Sequence, residues 1–195
     1  MSPKKLSGLL FLLLGPSGSG KGTLGELLLK KHPEIKRLKS YTTRLRREDK
    51  RSDDFYYFIS EAEFERKIQA GFFLEWKRVH AEHCYGTGKA EVLTDLKQGK
   101  LLMKEIDIEG YKELLKTEIK DKLVSIFFVP PEGEELARRI MGRGNIDETE
   151  LARRLASAQK ELAQKDLCDY LVSTSGRSVE ESYKEVEEII QKVMK

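Results

Sequence analysis

The sequence predicts an α/β fold: a parallel sheet core with helices on both faces, into which a small mixed α/β lobe is inserted. Three observations predict it. First, an unbroken apolar run, Leu9–Leu14, passes directly into Gly15-Pro16-Ser17-Gly18-Ser19-Gly20-Lys21-Gly22-Thr23 and then into a helical pattern at Leu24, Leu27 and Leu28. A buried strand, a glycine-rich turn and a helix in that order is the setting of a phosphate-binding loop. Second, strand and helix patterns alternate further along. Leu101-Leu102-Met103 and Leu123–Val129 are apolar, and Tyr111, Leu114 and Leu115 between them suit a crossover helix. Third, an aromatic block at about residues 39–88 interrupts the alternation and reads as the inserted lobe.

Each element has a local reason. Leu9–Leu14 is apolar throughout, as a strand buried on both faces must be. The helix after the glycine loop covers residues 23–31, because Pro33 disfavours helical geometry at His32. Ser40-Tyr41-Thr42-Thr43-Arg44-Leu45-Arg46-Arg47 then packs hydroxyls and arginines together, and a charged loop follows at 48–54. Phe55-Tyr56-Tyr57-Phe58-Ile59 is β-prone. Ser60-Glu61-Ala62-Glu63 is a capping box ahead of a helix with Phe64 and Ile68 on its apolar face, stopping near Gly71. Residues 72–76 read as a strand, Tyr85-Gly86-Thr87-Gly88 as a turn, and Val92, Leu93 and Leu96 as a short helix ending near Gly99.

The strand that opens at Leu101 reaches Glu105-Ile106-Asp107, and Pro130-Pro131 closes Leu123–Val129. Leu136 and Ile140 mark a helix bearing Arg138, Arg139 and Arg143, the last set between Gly142 and Gly144. Asp147-Glu148-Thr149-Glu150 starts another helix, which carries Arg153 and Arg154. Residues 169–172 suit a last strand. A second capping box, Ser178 to Glu181, precedes a helix striped by Val179, Tyr183, Val186, Ile190 and Val193.

Composition narrows the classes. The 195 residues suffice for one core and an inserted lobe. With 36 basic and 33 acidic residues the net charge is +3, too balanced to argue for nucleic acid. Cys84 and Cys168 fit no metal-ligand spacing and no disulfide framework, which points to a reducing, cytoplasmic compartment. Lys4 and Lys5 ahead of Leu9–Leu14 mimic a signal peptide, but the apolar run is too short to span a membrane and flows into the glycine loop. No membrane association is expected.

Phosphoryl transfer asks a protein chiefly for position and positive charge. The glycine loop offers backbone N–H groups and Lys21. Arg44, Arg46 and Arg47 form one arginine cluster, for which a solvated basic loop is the plain alternative. Arg139, Arg143 and Arg154 form another; Arg139 and Arg143 share a helix face and suit a closing lid, or simply an exposed helix. Glu75, Glu105 and Asp107 stand at ends of apolar strands, where parallel sheets place ligands. His32, His80 and His83 show no metal spacing.

In order and spacing these motifs resemble the guanylate kinase family along nearly the whole chain. They are the loop Gly15–Thr23, Ser40-x-Thr42-Thr43-Arg44-x-x-Arg47, Tyr56-x-Phe58-x-Ser60, Phe73-Leu74-Glu75-Trp76, Tyr85-Gly86-Thr87, Glu105-Ile106-Asp107-x-x-Gly110, Pro130-Pro131, Arg139-x-x-x-Arg143-Gly144 and Arg154-Leu155. The resemblance implies transfer of the γ-phosphate of ATP to GMP, giving ADP and GDP, with Mg²⁺. It implies that Gly15, Pro16, Ser17, Gly18, Ser19, Gly20, Lys21, Gly22 and Thr23 bind ATP. Ser40, Arg44, Arg47, Tyr56 and Tyr85 would hold the GMP phosphate. Glu75, Thr87 and Asp107, with Glu105 beside them, would serve guanine. Lys21, Arg44, Arg139, Arg143 and Arg154 would act on the transferring group.

The implied organisation is a core at 1–38, a GMP lobe at 39–95, core again at 96–138, an arginine lid at 139–155, and a closing strand and helix at 156–195. Two departures stand out. Gly22 replaces the hydroxyl residue usual in the family, leaving Thr23 as the nearest hydroxyl for Mg²⁺, through water. Ser173-Thr174-Ser175 stands where Val-Asn-Asp is common after Tyr170. Two other functions fit part of the pattern: a binding module of scaffold proteins, which would lack a working phosphate loop, and a kinase of another phosphorylated acceptor.

Overall fold

In β1 (Leu9–Leu14) every residue from Leu10 onward is fully buried. The chain leaves it at Gly15, with φ 130°, where an added Cβ would stand 2.7 Å from the Phe128 carbonyl oxygen. It enters α1 (Lys21–Lys31) through Gly20, which is left-handed at φ 85°. Only glycine meets both requirements without strain. The helix therefore starts at Lys21, earlier than the sequence pattern alone suggests.

The structure is a computed structural model that describes residues 7–46, 55–79, 82–142 and 146–194. After α1 come β2 (Ile35–Arg37), β3 (Ser40–Thr42), β4 (Tyr56–Phe58), α2 (Glu61–Gln69), β5 (Phe73–Val79) and β6 (His83–Gly88). Then follow α3 (Lys89–Lys97), β7 (Leu101–Glu105), α4 (Ile108–Leu114), β8 (Leu123–Val129), α5 (Gly133–Met141), α6 (Glu148–Leu162), β9 (Tyr170–Ser173) and α7 (Val179–Met194). A five-stranded parallel sheet has the order β2-β7-β1-β8-β9, and a four-stranded mixed sheet the order β4-β3-β6-β5. Among the described residues no helix is long and apolar enough to cross a membrane.

One expectation is corrected. Residues 85–88 are not a turn but the second half of β6, paired antiparallel with β5 from Val79↔His83 to Phe73↔Gly88. Gly86 is there for room: a Cβ would meet the Phe73 ring at 2.9 Å and the Phe64 ring at 3.2 Å.

By contact the chain divides into two compact units. One holds the chain to Leu10, Glu34–Lys104 and Glu109–Leu123; the other holds Phe11–Pro33, Glu105–Ile108 and Val124–Lys195. In the first, α2 is opened by Ser60, whose Oγ accepts from the Glu63 N–H at 3.2 Å. Phe64 of α2 stacks on Phe73 and meets Trp76 edge-on, while Tyr41 meets Phe72 and Phe73. Asp95, almost fully buried, takes hydrogen bonds from Lys36 and Lys100 at 2.7 Å each, tying β2 and the start of β7 to α3. In the second unit, α1 packs on α7, and Leu136, Ile140 and Ala158 join α5 to α6. The Ser178–Glu181 box forms in full: Ser178 N–H donates to the Glu181 carboxylate at 2.8 Å, and Glu181 N–H to Ser178 Oγ at 3.1 Å.

Candidate active site

The second unit carries the glycine loop. Lys21, first residue of α1, turns its ammonium back to donate to the Pro16 carbonyl at 3.3 Å. Ser19 is fully buried, and its Oγ has no hydrogen-bond partner among the described residues. The loop is braced by a residue that the sequence reading missed, Thr174, just past β9. Its Oγ1 lies within hydrogen-bonding distance of the carbonyl oxygens of Ser19, at 3.2 Å, and Val129, at 3.3 Å. The Arg139 guanidinium donates to the Thr174 carbonyl at 3.0 Å and to Glu135 at 2.7 Å.

A cavity of about 300 Å³ opens beside this brace, lined among others by Gly20, Thr23, Arg139, Thr174, Arg177 and Ser178. Arginine and hydroxyl groups around a glycine loop suit a phosphorylated nucleoside. Arg154, on α6, donates to Glu150 at 2.6 Å. That bond, followed by two from Arg153, holds the Glu150 carboxyl below its ordinary range. Glu105 ends β7 with its carboxylate facing α1: the site where Gly22 would carry a Cβ is 3.8 and 3.9 Å from its two oxygens. Asp107 follows, half-buried, ahead of α4.

In the first unit, strand register brings the predicted acceptor residues together. Ser40 pairs with Tyr56, Thr42 with Tyr85, and Glu75 with Thr87. Directly opposed residues share a face, and so do residues two apart on a strand. Ser40, Tyr56, Tyr85, Thr87 and Glu75 therefore lie on one face of the four-stranded sheet. Tyr41, Trp76 and Gly86 lie on the other, against α2. Glu75 and Thr87 are 8% and 1% exposed, and the Thr87 hydroxyl donates to the Glu75 carboxylate. The Arg44 guanidinium sits over the Tyr56 ring, 5.0 Å from its centre, and its Nε is buried with no partner among the described residues. A buried donor of this kind calls for an acceptor, which an anion would supply. Lys104, absent from the sequence reading, is 3% exposed and donates to Ser40 Oγ. Arg47 and Arg143 lie outside the described residues.

The family model described as guanylate kinase matches residues 8–193. A guanylate kinase of Nostoc sp. is 43% identical over 84% of this chain and 81% of its own length. One from Caldanaerobacter subterraneus is 42% identical over 88% of this chain and 82% of its own. Among solved structures, guanylate kinase from Anaplasma phagocytophilum matches with TM-score 0.75 at 28% identity, over 96% of this chain and 86% of that one.

Proposed function

Since the chain belongs to the guanylate kinase family, we propose a division of labour among its residues for moving the γ-phosphate of ATP to GMP. The reaction yields ADP and GDP, and the enzyme is an ATP:GMP phosphotransferase. The observation that carries the acceptor assignment is the single sheet face that gathers Ser40, Tyr56, Tyr85, Thr87 and Glu75. On our reading the Glu75 carboxylate accepts from the ring N–H and amino group of guanine, and Thr87 holds that carboxylate in place. Asp107 serves the same base. Ser40, Arg44, Arg47, Tyr56 and Tyr85 bind the phosphate, with the Arg44 Nε, which has no partner among the described residues, as a ready donor.

For the donor, Gly15–Thr23 and Lys21 take the triphosphate, and the cavity beside Thr174 and Arg177 takes the nucleoside. Arg139, Arg143 and Arg154 belong to a lid over residues 139–155 and meet the charge on the transferring group. That requires Arg139 and Arg154 to exchange Glu135 and Glu150 for phosphate oxygens.

Magnesium fits the residues present. Mg²⁺ prefers oxygen ligands, keeps several waters and needs only one or two carboxylates beside substrate phosphates. Glu105, facing the side-chain-free Gly22, and Thr23 through water are the oxygens that would hold it. When bound with ATP the ion neutralises charge on the β- and γ-phosphates. Cys84 and Cys168 are free thiols, consistent with a cytoplasmic setting.

A coupled assay of ADP release with ATP against GMP, AMP, CMP and UMP tests the acceptor reading. GMP is expected to exceed the others by about 10²-fold or more in kcat/KM, because the other bases lack the paired donors that a buried carboxylate requires. A preference for AMP would overturn the guanine assignment.

A further inference from the structure

Lys104 does not fit the packing logic of its strand. β7 is an inner strand, and Leu102 and Met103 before it are fully buried. A lysine there is 3% exposed, although ammonium groups are almost never buried unless they are used. Its position follows from the backbone. Met103 pairs with Arg37 of β2, and the Leu38 N–H donates to the Met103 carbonyl at 2.8 Å. That bond brings the link between β2 and β3 against β7, and the Lys104 ammonium reaches Ser40 Oγ at the head of β3.

The direction of this bond has a consequence. An ammonium has three donors and no acceptor, so Ser40 Oγ must accept. The hydroxyl proton is then left to point at another acceptor. Ser40 stands opposite Tyr56, on the face shared with Tyr85 and beside the Arg44–Tyr56 stack. Phosphate oxygens only accept, and they bind best where hydroxyl donors are fixed and positive charge is near.

We propose that Lys104 is a positioning residue for the acceptor: it fixes the Ser40 hydroxyl as a donor to the GMP phosphate and adds its charge to that end of the site. This rests on the assignment of Ser40 to the GMP phosphate made above. Glu75 and Thr87 read the base without it.

The test uses the full-length enzyme and compares wild type with Lys104→Met, Lys104→Gln, Ser40→Ala and the double variant Lys104→Met/Ser40→Ala. Lys104→Met is expected to raise KM for GMP about tenfold while KM for ATP stays within about twofold, the loss of one charge-assisted contact. By calorimetry it weakens GMP binding, but not guanosine binding, by a similar factor. In the Ser40→Ala background the same change adds no more than about twofold, since coupled partners are not additive. Lys104→Gln keeps a donor without the charge and recovers part of the loss. It also carries the test if the Met variant does not fold.

Equal loss of GMP and guanosine binding would make Lys104 a support of the lobe and overturn the proposal. So would additive effects of the two changes. If Ser40→Ala leaves KM for GMP unchanged, the phosphate assignment of Ser40 fails first, and the Lys104 proposal falls with it. If Ser40→Ala raises KM and the Lys104 variants do not, the Lys104 proposal fails alone.

Discussion

Lys21 has two claims on its ammonium: the Pro16 carbonyl in its own loop, and the triphosphate that the loop is shaped to cradle. The carbonyl bond is long and local, and a phosphate oxygen with full negative charge outcompetes it. Lys21→Met is expected to lower kcat by about 10³-fold, the scale seen when a donor aimed at developing charge is removed. GMP affinity should stay within about threefold, because Ser40, Tyr56, Tyr85, Thr87 and Glu75 belong to the other compact unit. Turnover and equilibrium GMP binding on the same folded variant decide it; loss of both would mean that donor and acceptor sites are not independent. Single residues also mark the limit of what could be read beforehand. The loop, Arg44, Arg139, Arg154 and the carboxylates are polar residues at motif spacing, which is why they could be singled out as candidates. Thr174 and Lys104 were not. A threonine in Ser173-Thr174-Ser175 looks like any hydroxyl turn until its contacts with the Ser19 and Val129 carbonyl oxygens appear. A lysine after three apolar residues looks like the solvated end of a strand.

Among the elements, those with strong periodicity or full apolar character came through: β1, β8, α6 and α7 match the patterns that predict them, whereas α5 stops at Met141, so the expected helix face shared by Arg139 and Arg143 does not form within it. β2 and β3 are three residues each, too short to show alternation, and escaped notice. β6 was misread because glycine has two uses. Gly86 and Gly88 suggested a turn, yet neither has positive φ. Both make room for rings, Gly86 for Phe73 and Phe64, Gly88 for Tyr41 and Phe72. Space for a tertiary neighbour cannot be seen in local sequence. Gly86→Ala is expected to destabilise by about 1–3 kcal/mol, as overpacking does. Its Cβ would meet Phe73 Cδ1 at 2.9 Å, and Phe73 is already stacked on the fully buried Phe64. Urea unfolding followed through Trp76, which meets Phe64, would report it. An unchanged midpoint would show that the ring stack yields freely.

Across the molecule, carboxylates that work in the folded state set its acid limit. Asp95, Glu118 and Glu187 all titrate below their ordinary range. Glu187 is lowered most, to about 2, by hydrogen bonds from His32 first and Tyr183 second. The bonds are 2.9 and 2.7 Å; the first pins His32, at the end of α1, to α7, and the second lies within α7. A carboxyl held below its unfolded value of 4.5 stabilises the fold fully above that value, and the contribution fades as pH falls toward about 2. The window for Glu187 is therefore acidic, and nothing in it touches the neutral range where the enzyme would work. Glu187→Gln should cost stability at pH 6 and cost less at pH 3, because the wild-type carboxylate has by then lost much of its advantage. Urea midpoints of both proteins at the two pH values give the comparison, and a gap that stays constant would place the stabilisation in packing around α7 rather than in the charge of Glu187.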